Sequence, residues 1–387
     1  MTLDFKSTYI RTIRERYFKS SKKEKSVILD ELCSITGYDR KWAIRILAKG
    51  HKTGKKASGR SKQYSEESIT HLKKLWHIMR RINSKKMVAA FPTWLSFYDG
   101  IGFNPQIKEE ILSMSHSTID RYLEKYRKQF ARTKRTGTVR AKNFLNIIPI
   151  KDFTKRSQIP GALQADTVAH CGNSLSGKFV WTLTVTDEVT GWTENRALFG
   201  KSGLTVTCGF MSIFSDLPYN VHTLNTDNGT EFLNEMLQNY ITKDKGLHFT
   251  RSRPYKSNDN AHVEQKNFTH VREIFGYERY DREELIFVMN DIYKNYFNVL
   301  YNYFIPQHKC IKVKRVGAKY RRTFDKPKTP YQRLLESGTL SLYEKEELIA
   351  TFSSLNPIEL RKDLSFQLKR FKRIFEGKSD FKYSFAS

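Results

Sequence analysis

Three carboxylates in the second half of the chain arrive in a fixed order. Asp166 lies inside the apolar, β-branched run Leu163–Val168, Asp227 closes a second such run at Asn225–Thr226–Asp227, and Glu264 opens an amphipathic stretch that follows Asn258. The first two settings suit strands, and the third suits a helix facing them. Carboxylate oxygens are hard ligands suited to Mg²⁺. Two such ions about 3.5–4 Å apart clamp the attacking and leaving oxygens of a phosphodiester during in-line displacement. The candidate chemistry is therefore metal-assisted cleavage or transfer at a polyanionic substrate.

Other carboxylates compete for these roles. Asp187 and Glu188 read as turn residues ahead of Thr190–Gly191, and Glu231, four residues past Asp227, reads as the start of a surface helix. His170 and Cys171 are adjacent on a strand, so their side chains leave opposite faces, and both are expected to be structural.

Charge supplies the partner. Lys and Arg number 68 against 40 Asp and Glu, a net +28, and residues 1–150 hold 33 cations against 13 acids. A basic front half beside a balanced remainder reads as a nucleic-acid arm joined to a worker domain. Cys33, Cys171, Cys208 and Cys310 lie far apart, without a CxxC pair, which excludes a zinc ribbon and a disulfide framework. No apolar run approaches a membrane span and no signal peptide opens the chain, so a cytoplasmic, nucleoid-associated protein without a membrane partner is expected.

Organisation follows from periodicity. In residues 1–50, Val27, Ile28, Leu32 and Ile35 recur at helical spacing, Gly37 breaks the run, and Asp39 caps a second helix with Trp42, Ile46 and Leu47 inward. That helix turns Arg40, Lys41 and Arg45 outward, as a groove-reading helix requires. Residues 51–65 are a basic linker. Residues 66–129 form a second helical, helix-turn-helix region, in which Ser115 or Ser117 caps a last helix with Ile119, Tyr122 and Leu123 inward and Arg121, Lys125 and Arg127 outward. Arg132, Lys134 and Arg135 belong to a basic connector, 130–154. Strands then alternate with helices through 155–276, giving a mixed sheet with helices on both faces. Residues 277–387 read as mostly helical, interrupted by a basic stretch at 309–322. In that region Tyr293, Phe297, Leu300, Tyr301 and Phe304 make an aromatic-rich face for the core or for another subunit.

Around the carboxylates, Arg251, Arg253 and Lys256 form a basic loop. Asn260, Asn267 and Phe268 share the face of Glu264 at helical spacing. Either asparagine can touch DNA or orient the glutamate, whereas Phe268 suits the core. Lys266 and Arg272 are candidate phosphate contacts.

The order Asp, Asp, Glu, with 60 and 36 intervening residues, resembles the DDE transposases and retroviral-type integrases. The resemblance rests on LQADTVAHC (163–171), VTDEVTGWT (185–193), TDNGTEF (226–232) and RSRPYKSNDNAHVEQKN (251–267), and it runs from about 155 to 300. The front half resembles the helix-turn-helix region of bacterial insertion-sequence transposases, and lacks the paired His and Cys ligands of retroviral integrases. The resemblance implies an RNase H-like catalytic core, with Asp166, Asp227 and Glu264 as catalytic metal ligands for two Mg²⁺ ions, Mn²⁺ able to substitute. It implies double-stranded DNA as substrate, both element ends and target, and self-association into a synaptic multimer. Two other functions fit the same sequence: a transposase-derived repressor that only binds DNA, and an RNase H-fold nuclease that only hydrolyses.

Overall fold

The computed structural model describes residues 3–49, 64–128, 148–151, 157–253, 261–317 and 319–378. It divides into two compact units, Met1–Gln63 and Tyr64–Ser387.

The first unit is built from α1 (Leu3–Lys19), α2 (Lys22–Thr36) and α3 (Arg40–Lys49). Sequence punctuation explains the breaks. Glu24 accepts the backbone N–H of Ser21 at 2.7 Å, Gly37 adopts φ 73° and donates its N–H to Cys33, and Asp39 accepts the N–H of Trp42 at 3.1 Å. The positive φ at Gly37 costs a side-chain-bearing residue roughly 1–2 kcal/mol, so the helix stops there. The core is Ile10, Ile13, Ile28, Leu29, Leu32, Ala43, Ile46 and Leu47. This corrects the expected seam, because Val27, Ile35 and Trp42 are exposed. The cause is α1, which sequence periodicity did not reveal. Its Ile10 and Ile13 shift the buried stripe of α2 onto Ile28, Leu29 and Leu32. Arg14 of α1 also donates to the carbonyls of Leu47 (2.8 Å) and Ala48 (3.2 Å), closing the end of α3.

The second unit begins with α4 (Glu66–Ile78), α5 (Ser84–Trp94), α6 (Pro105–Ser113) and α7 (His116–Lys128). Ser65, Asn83, Asn104 and Ser115 each accept a backbone N–H at the helix start they precede. Ile119 and Leu123 are fully buried, as their spacing predicts. This helical block has no core of its own. Its Leu72, Trp76, Phe91 and Trp94 share one hydrophobic core with the sheet, and the Trp94 indole donates to the Phe304 carbonyl at 3.0 Å.

Five strands come next: β1 (Ala162–Ala169), β2 (Val180–Asp187), β3 (Thr193–Phe199), β4 (Thr223–Thr226) and β5 (His248–Arg251), with α8 (Gly203–Asp216) and α9 (235–244) as crossovers. Their order is β3-β2-β1-β4-β5. β1, β2 and β3 run antiparallel, and β1, β4 and β5 run parallel, so the expected mixed sheet is present. The β2–β3 turn is held by Asp187, which accepts from the N–H groups of Gly161, Val189 and Thr190 and from the Thr190 hydroxyl, a structural role as its setting suggested. Helices cover both faces. Gly209 of α8 lies over Leu183 and Leu198 on one face. On the other lie α10 (261–275) and α11 (285–304), where Thr182 bonds to Tyr293 and Asn195 to His270.

β3 is an edge strand, and two α11 side chains stand in for a sixth strand. Asn302 accepts the Thr193 N–H at 2.9 Å and donates to its carbonyl at 3.0 Å; Asn290 does the same for Ala197 at 2.7 and 3.0 Å. The edge groups of Thr193 and Ala197 are thereby satisfied and closed to other strands.

The aromatic face of α11 is internal. Tyr293, Phe297, Leu300, Tyr301 and Phe304 are all buried, packed against His270, Phe275 and Phe352. After α11 comes a departure from the helical expectation, an antiparallel ribbon of β6 (Cys310–Val316) and β7 (Lys319–Phe324). The chain then resumes as α12 (Pro330–Glu336), α13 (Leu342–Ser354) and α14 (Pro357–Phe375). Among the described residues no helix is long and apolar enough to cross a membrane.

Two buried imidazoles couple this unit to pH. His170 bonds to Thr182 at 2.8 Å, and burial with the nearby Arg272 charge lowers its pKa to about 3. Burial, with Lys266, Arg80 and Lys86 nearby, holds His270 well below its usual range. An unfolded histidine takes a proton near pH 6.5, so between about 6.5 and 3 the unfolded state binds more protons and stability is lost as pH falls. His170→Gln is expected to gain about 2–3 kcal/mol on wild type between about pH 7.5 and 4.5, read from urea midpoints. A difference that stays constant over that range would sink the assignment.

Candidate active site

The parallel register of β1 and β4 builds the centre. Ala162 lies opposite Thr223, and the pairing runs on to Ala165 opposite Thr226. One residue further, Asp166 comes beside Asp227 just past the end of β4. The side chain of Asp166 leaves the sheet on the α10 face, as that of Thr182 does two positions from its partner Thr184. There Asn267 of α10 donates to Asp166 Oδ2 at 2.6 Å, while the Thr167 N–H donates to Oδ1 at 2.8 Å. Glu264 is on the preceding turn of the same helix, exposed, in Ala261–Lys266.

The electrostatics agree with this convergence. Burial first, then the charge of Asp227 and, more weakly, that of Glu264, raise the Asp166 carboxyl above the ordinary aspartate range, against the two N–H donors. Asp227 is fixed by its own turn. Its Oδ1 accepts the Gly229 N–H at 2.9 Å, and Asn228 donates to the Ser252 carbonyl at 3.0 Å. Arg251, buried, bonds to Asn228 at 3.2 Å and to the Ile148 carbonyl at 2.7 Å, tying the turn to the segment ahead of β1.

Glu231 is on the other face. Thr167, whose side chain points opposite to that of Asp166, donates to Glu231 Oε1 at 2.9 Å, and Lys201 approaches Oε2 at 3.4 Å. Glu231 is buried in the turn before α9, which starts at Glu235 behind an Asn234 cap, so the expected surface helix beginning at Glu231 is corrected.

Among the described residues, no group of three or more His, Cys, Asp and Glu side chains closes into a metal-holding cluster. The donor chemistry nevertheless fits a hard divalent cation. The charges of Asp227 and Glu264 both press on the buried Asp166 carboxyl, and a bound cation would relieve that repulsion.

No known family model matches the chain. The uncharacterized protein y4rM of Sinorhizobium fredii (strain NBRC 101917 / NGR234) is 31% identical to it over 328 residues, covering 84% of this chain and 93% of that protein. The chain belongs to the y4rM family. Among solved structures, the catalytic core domain of BIV integrase aligns at 19% identity and TM-score 0.29, over 46% of this chain and 95% of that one. The HTLV-2 integrase catalytic core domain in complex with magnesium aligns at 18% identity and TM-score 0.23, over 29% and 68%. Superpositions this loose leave the chemistry to the residues themselves.

In this y4rM-family chain the cationic candidates divide sharply. Arg40, Lys41 and Arg45 are exposed on α3; Arg40 pairs back to Asp30 of α2, and Arg45 lies over the exposed Trp42 ring at 5.9 Å. Arg121 and Lys125 are exposed on α7, whereas Arg127 pairs with Asp120. Arg253 is exposed. Arg251 and Lys266 are not outward phosphate contacts, because both are buried. Lys266 bonds to Gln307, and burial with Lys86 nearby lowers its pKa well below the usual lysine range. Arg272 donates to the Ala169 carbonyl at 2.9 Å. Phe268, expected in the core, is 43% exposed. Arg132, Lys134, Arg135, Lys256 and Asn260 lie outside the described residues. Sequence reasoning missed the clamp made by Arg251 and Asn228 and the pairing of Asn267 with Asp166. The Asn at i+3 from the glutamate was the signal for the second, and the Asn228–Gly229 turn beside Asp227 a partial one for the first.

Proposed function

We propose that this protein is a DDE-type DNA transposase, with an RNase H-like core, that recognises the ends of a bacterial insertion sequence, cuts a DNA strand and joins it to a target. The observation that carries this reading is the placement of Asp166 beside Asp227 with the Glu264 helix bonded across Asp166 by Asn267. Asp166, Asp227 and Glu264 would hold two Mg²⁺ ions, or Mn²⁺ in their place, which supply activation of a water or 3′-hydroxyl and stabilisation of the leaving oxygen. The chain's own part is positioning. Asn267 orients Asp166, the Gly229 N–H orients Asp227, and Arg251 holds Asn228 and so the turn between them. Arg40, Lys41 and Arg45 on one helix, and Arg121 and Lys125 on another, are the groove-facing candidates, with Arg132, Lys134, Arg135, Arg253 and Lys256 on phosphates. Chemistry at two element ends requires at least two such sites, hence a multimer formed on DNA.

The test incubates the purified chain and Mg²⁺ with a DNA fragment carrying its reading frame and flanks, plus a supercoiled target. Strand breaks at fixed flanking positions and joined products are expected. Breaks without joining would support the hydrolytic nuclease, and specific binding without breaks the repressor.

A further inference from the structure

The ribbon of β6 and β7 has no role in the proposed catalysis, and its chemistry is one-sided. Between Cys310 and Phe324 it carries Lys312, Lys314, Arg315, Lys319, Arg321 and Arg322, with no acidic residue. Every residue described in the two strands is exposed apart from the half-buried Cys310. Among the described residues none of the six cations has a carboxylate partner; Arg315 bonds only to the Gly317 carbonyl at 3.2 Å.

The register makes the arrangement costly. Lys314 stands directly opposite Arg321, and Val313 opposite Arg322. Like charges facing one another across a ladder destabilise it, and an isolated two-stranded ribbon is marginal in water to begin with. Burial does not offset this, since Val313, Val316, Tyr320 and Phe324 are each more than half exposed. A ribbon that spends stability on opposed cations is suited to an external polyanion.

We propose that this ribbon is an arm that binds double-stranded DNA by lying in a groove; the inference rests on the reading of the protein as a DNA-processing enzyme. Alternation places Lys312, Lys314, Lys319 and Arg321 on one face, and Val313, Arg315, Tyr320 and Arg322 on the other. A two-stranded ribbon fits the major groove, about 12 Å wide, whose phosphate walls flank it on both sides. Cations on both faces match two such walls. A membrane surface would instead need apolar and cationic residues segregated to opposite faces. Seven residues at about 3.4 Å each give an arm of roughly 20 Å or more.

The arm's root joins it to the candidate active site. Gln307 and Lys328 close its base through paired backbone bonds of 2.8 and 3.2 Å. Asp325 accepts the Lys309 N–H at 2.7 Å and pairs with Arg333 at 2.7 Å. Gln307 also accepts from Lys266, two residues past Glu264 on the same helix. DNA held by the arm is therefore tethered to the helix that carries the third carboxylate.

The test uses the full chain, with duplex and single-stranded DNA of about 30 residues and random sequence, and with phosphatidylserine–phosphatidylcholine vesicles. Lys312→Gln/Lys314→Gln/Lys319→Gln/Arg321→Gln is expected to lose at least tenfold in duplex affinity at about 0.1 M salt. Its plot of log affinity against log salt should flatten by roughly 3–4, at about 0.9 per phosphate contact. The pair Lys314→Gln/Arg321→Gln should flatten it by about half as much, which decides the question if the fourfold variant fails to fold. Wild-type affinity and slope in both variants would overturn the arm while leaving the catalytic reading intact. So would an equal loss on single strands, or a loss confined to vesicles. A wild-type chain that binds no duplex at all would overturn both.

Discussion

Asp166→Asn, Asp227→Asn and Glu264→Gln are each expected to lower DNA cleavage and joining about 10³-fold or more, with duplex affinity nearly unchanged. Each change removes one ligand charge and preserves shape. Loss of a ligand from an ion that stabilises transition-state charge is worth several kcal/mol, and every 1.4 kcal/mol is tenfold in rate. Stability should move the other way. Burial and the neighbouring carboxylates already press Asp166 toward its neutral form, so Asp166→Asn removes a repulsion, and its melting temperature should hold or rise. That divergence separates a catalytic carboxylate from a structural one such as Asp187, where Asn keeps the Oδ1 acceptor for Val189 and Thr190 but turns an NH2 group toward the Gly161 N–H. Glu231→Gln is the control, since Glu231 bonds Thr167 on the opposite face. A variant of the trio that keeps more than about a tenth of wild-type cleavage would leave the site, because a ligand's loss must cost more than one factor of ten. Equal losses in Glu231→Gln and Glu264→Gln would put the third ligand in doubt.

The strands and the carboxylates were legible because their signals are local. Asp166 and Asp227 each sit within or at the close of an apolar β-branched run, and all five strands of the sheet fall inside the 155–276 segment read as alternating strands and helices. What was not legible depends on distant partners. Lys266 reads as a surface lysine until Gln307, 41 positions away, covers it. Val27 and Ile35 read as core until α1 rotates the buried stripe by one position. Phe268 shares the face of Glu264 at i+4, as its spacing says, but that face is open, since Glu264 is itself exposed. The ribbon was readable in part. Ile311, Val313 and Val316 with a following Gly317 carry a strand-and-turn pattern, obscured by the cations between them.

The edge of the sheet carries the second large effect, on stability. Glu194 of β3 is buried and accepts from Trp192 (3.0 Å), Asn298 (2.7 Å) and Asn302 (3.3 Å), with Arg196 at 3.4 Å. Arg196, also buried, reaches Ser212 at 3.1 Å and pairs with Asp216 on α8. The network thus wraps β3 and binds helices from both faces of the sheet to one strand. Burial raises the Glu194 pKa, while Arg196 and its N–H donors oppose the shift. Removing one partner of a buried ionic network leaves the others uncompensated, so Glu194→Leu should cost about 3–5 kcal/mol, and Glu194→Gln, which keeps an acceptor, less. Adding Arg196→Met to Glu194→Leu should recover part of the loss, since an apolar replacement of both partners strands fewer charges. Chemical denaturation of the three variants measures this directly. A cost below about 1 kcal/mol for Glu194→Leu would mean that the outer edge of β3 is held by its side-chain amide pairs with Asn290 and Asn302 without the ionic network. Because none of these groups touches Asp166, Asp227 or Glu264, the folded fraction of each variant should keep wild-type cleavage, so that activity tracks the unfolding curve and nothing else.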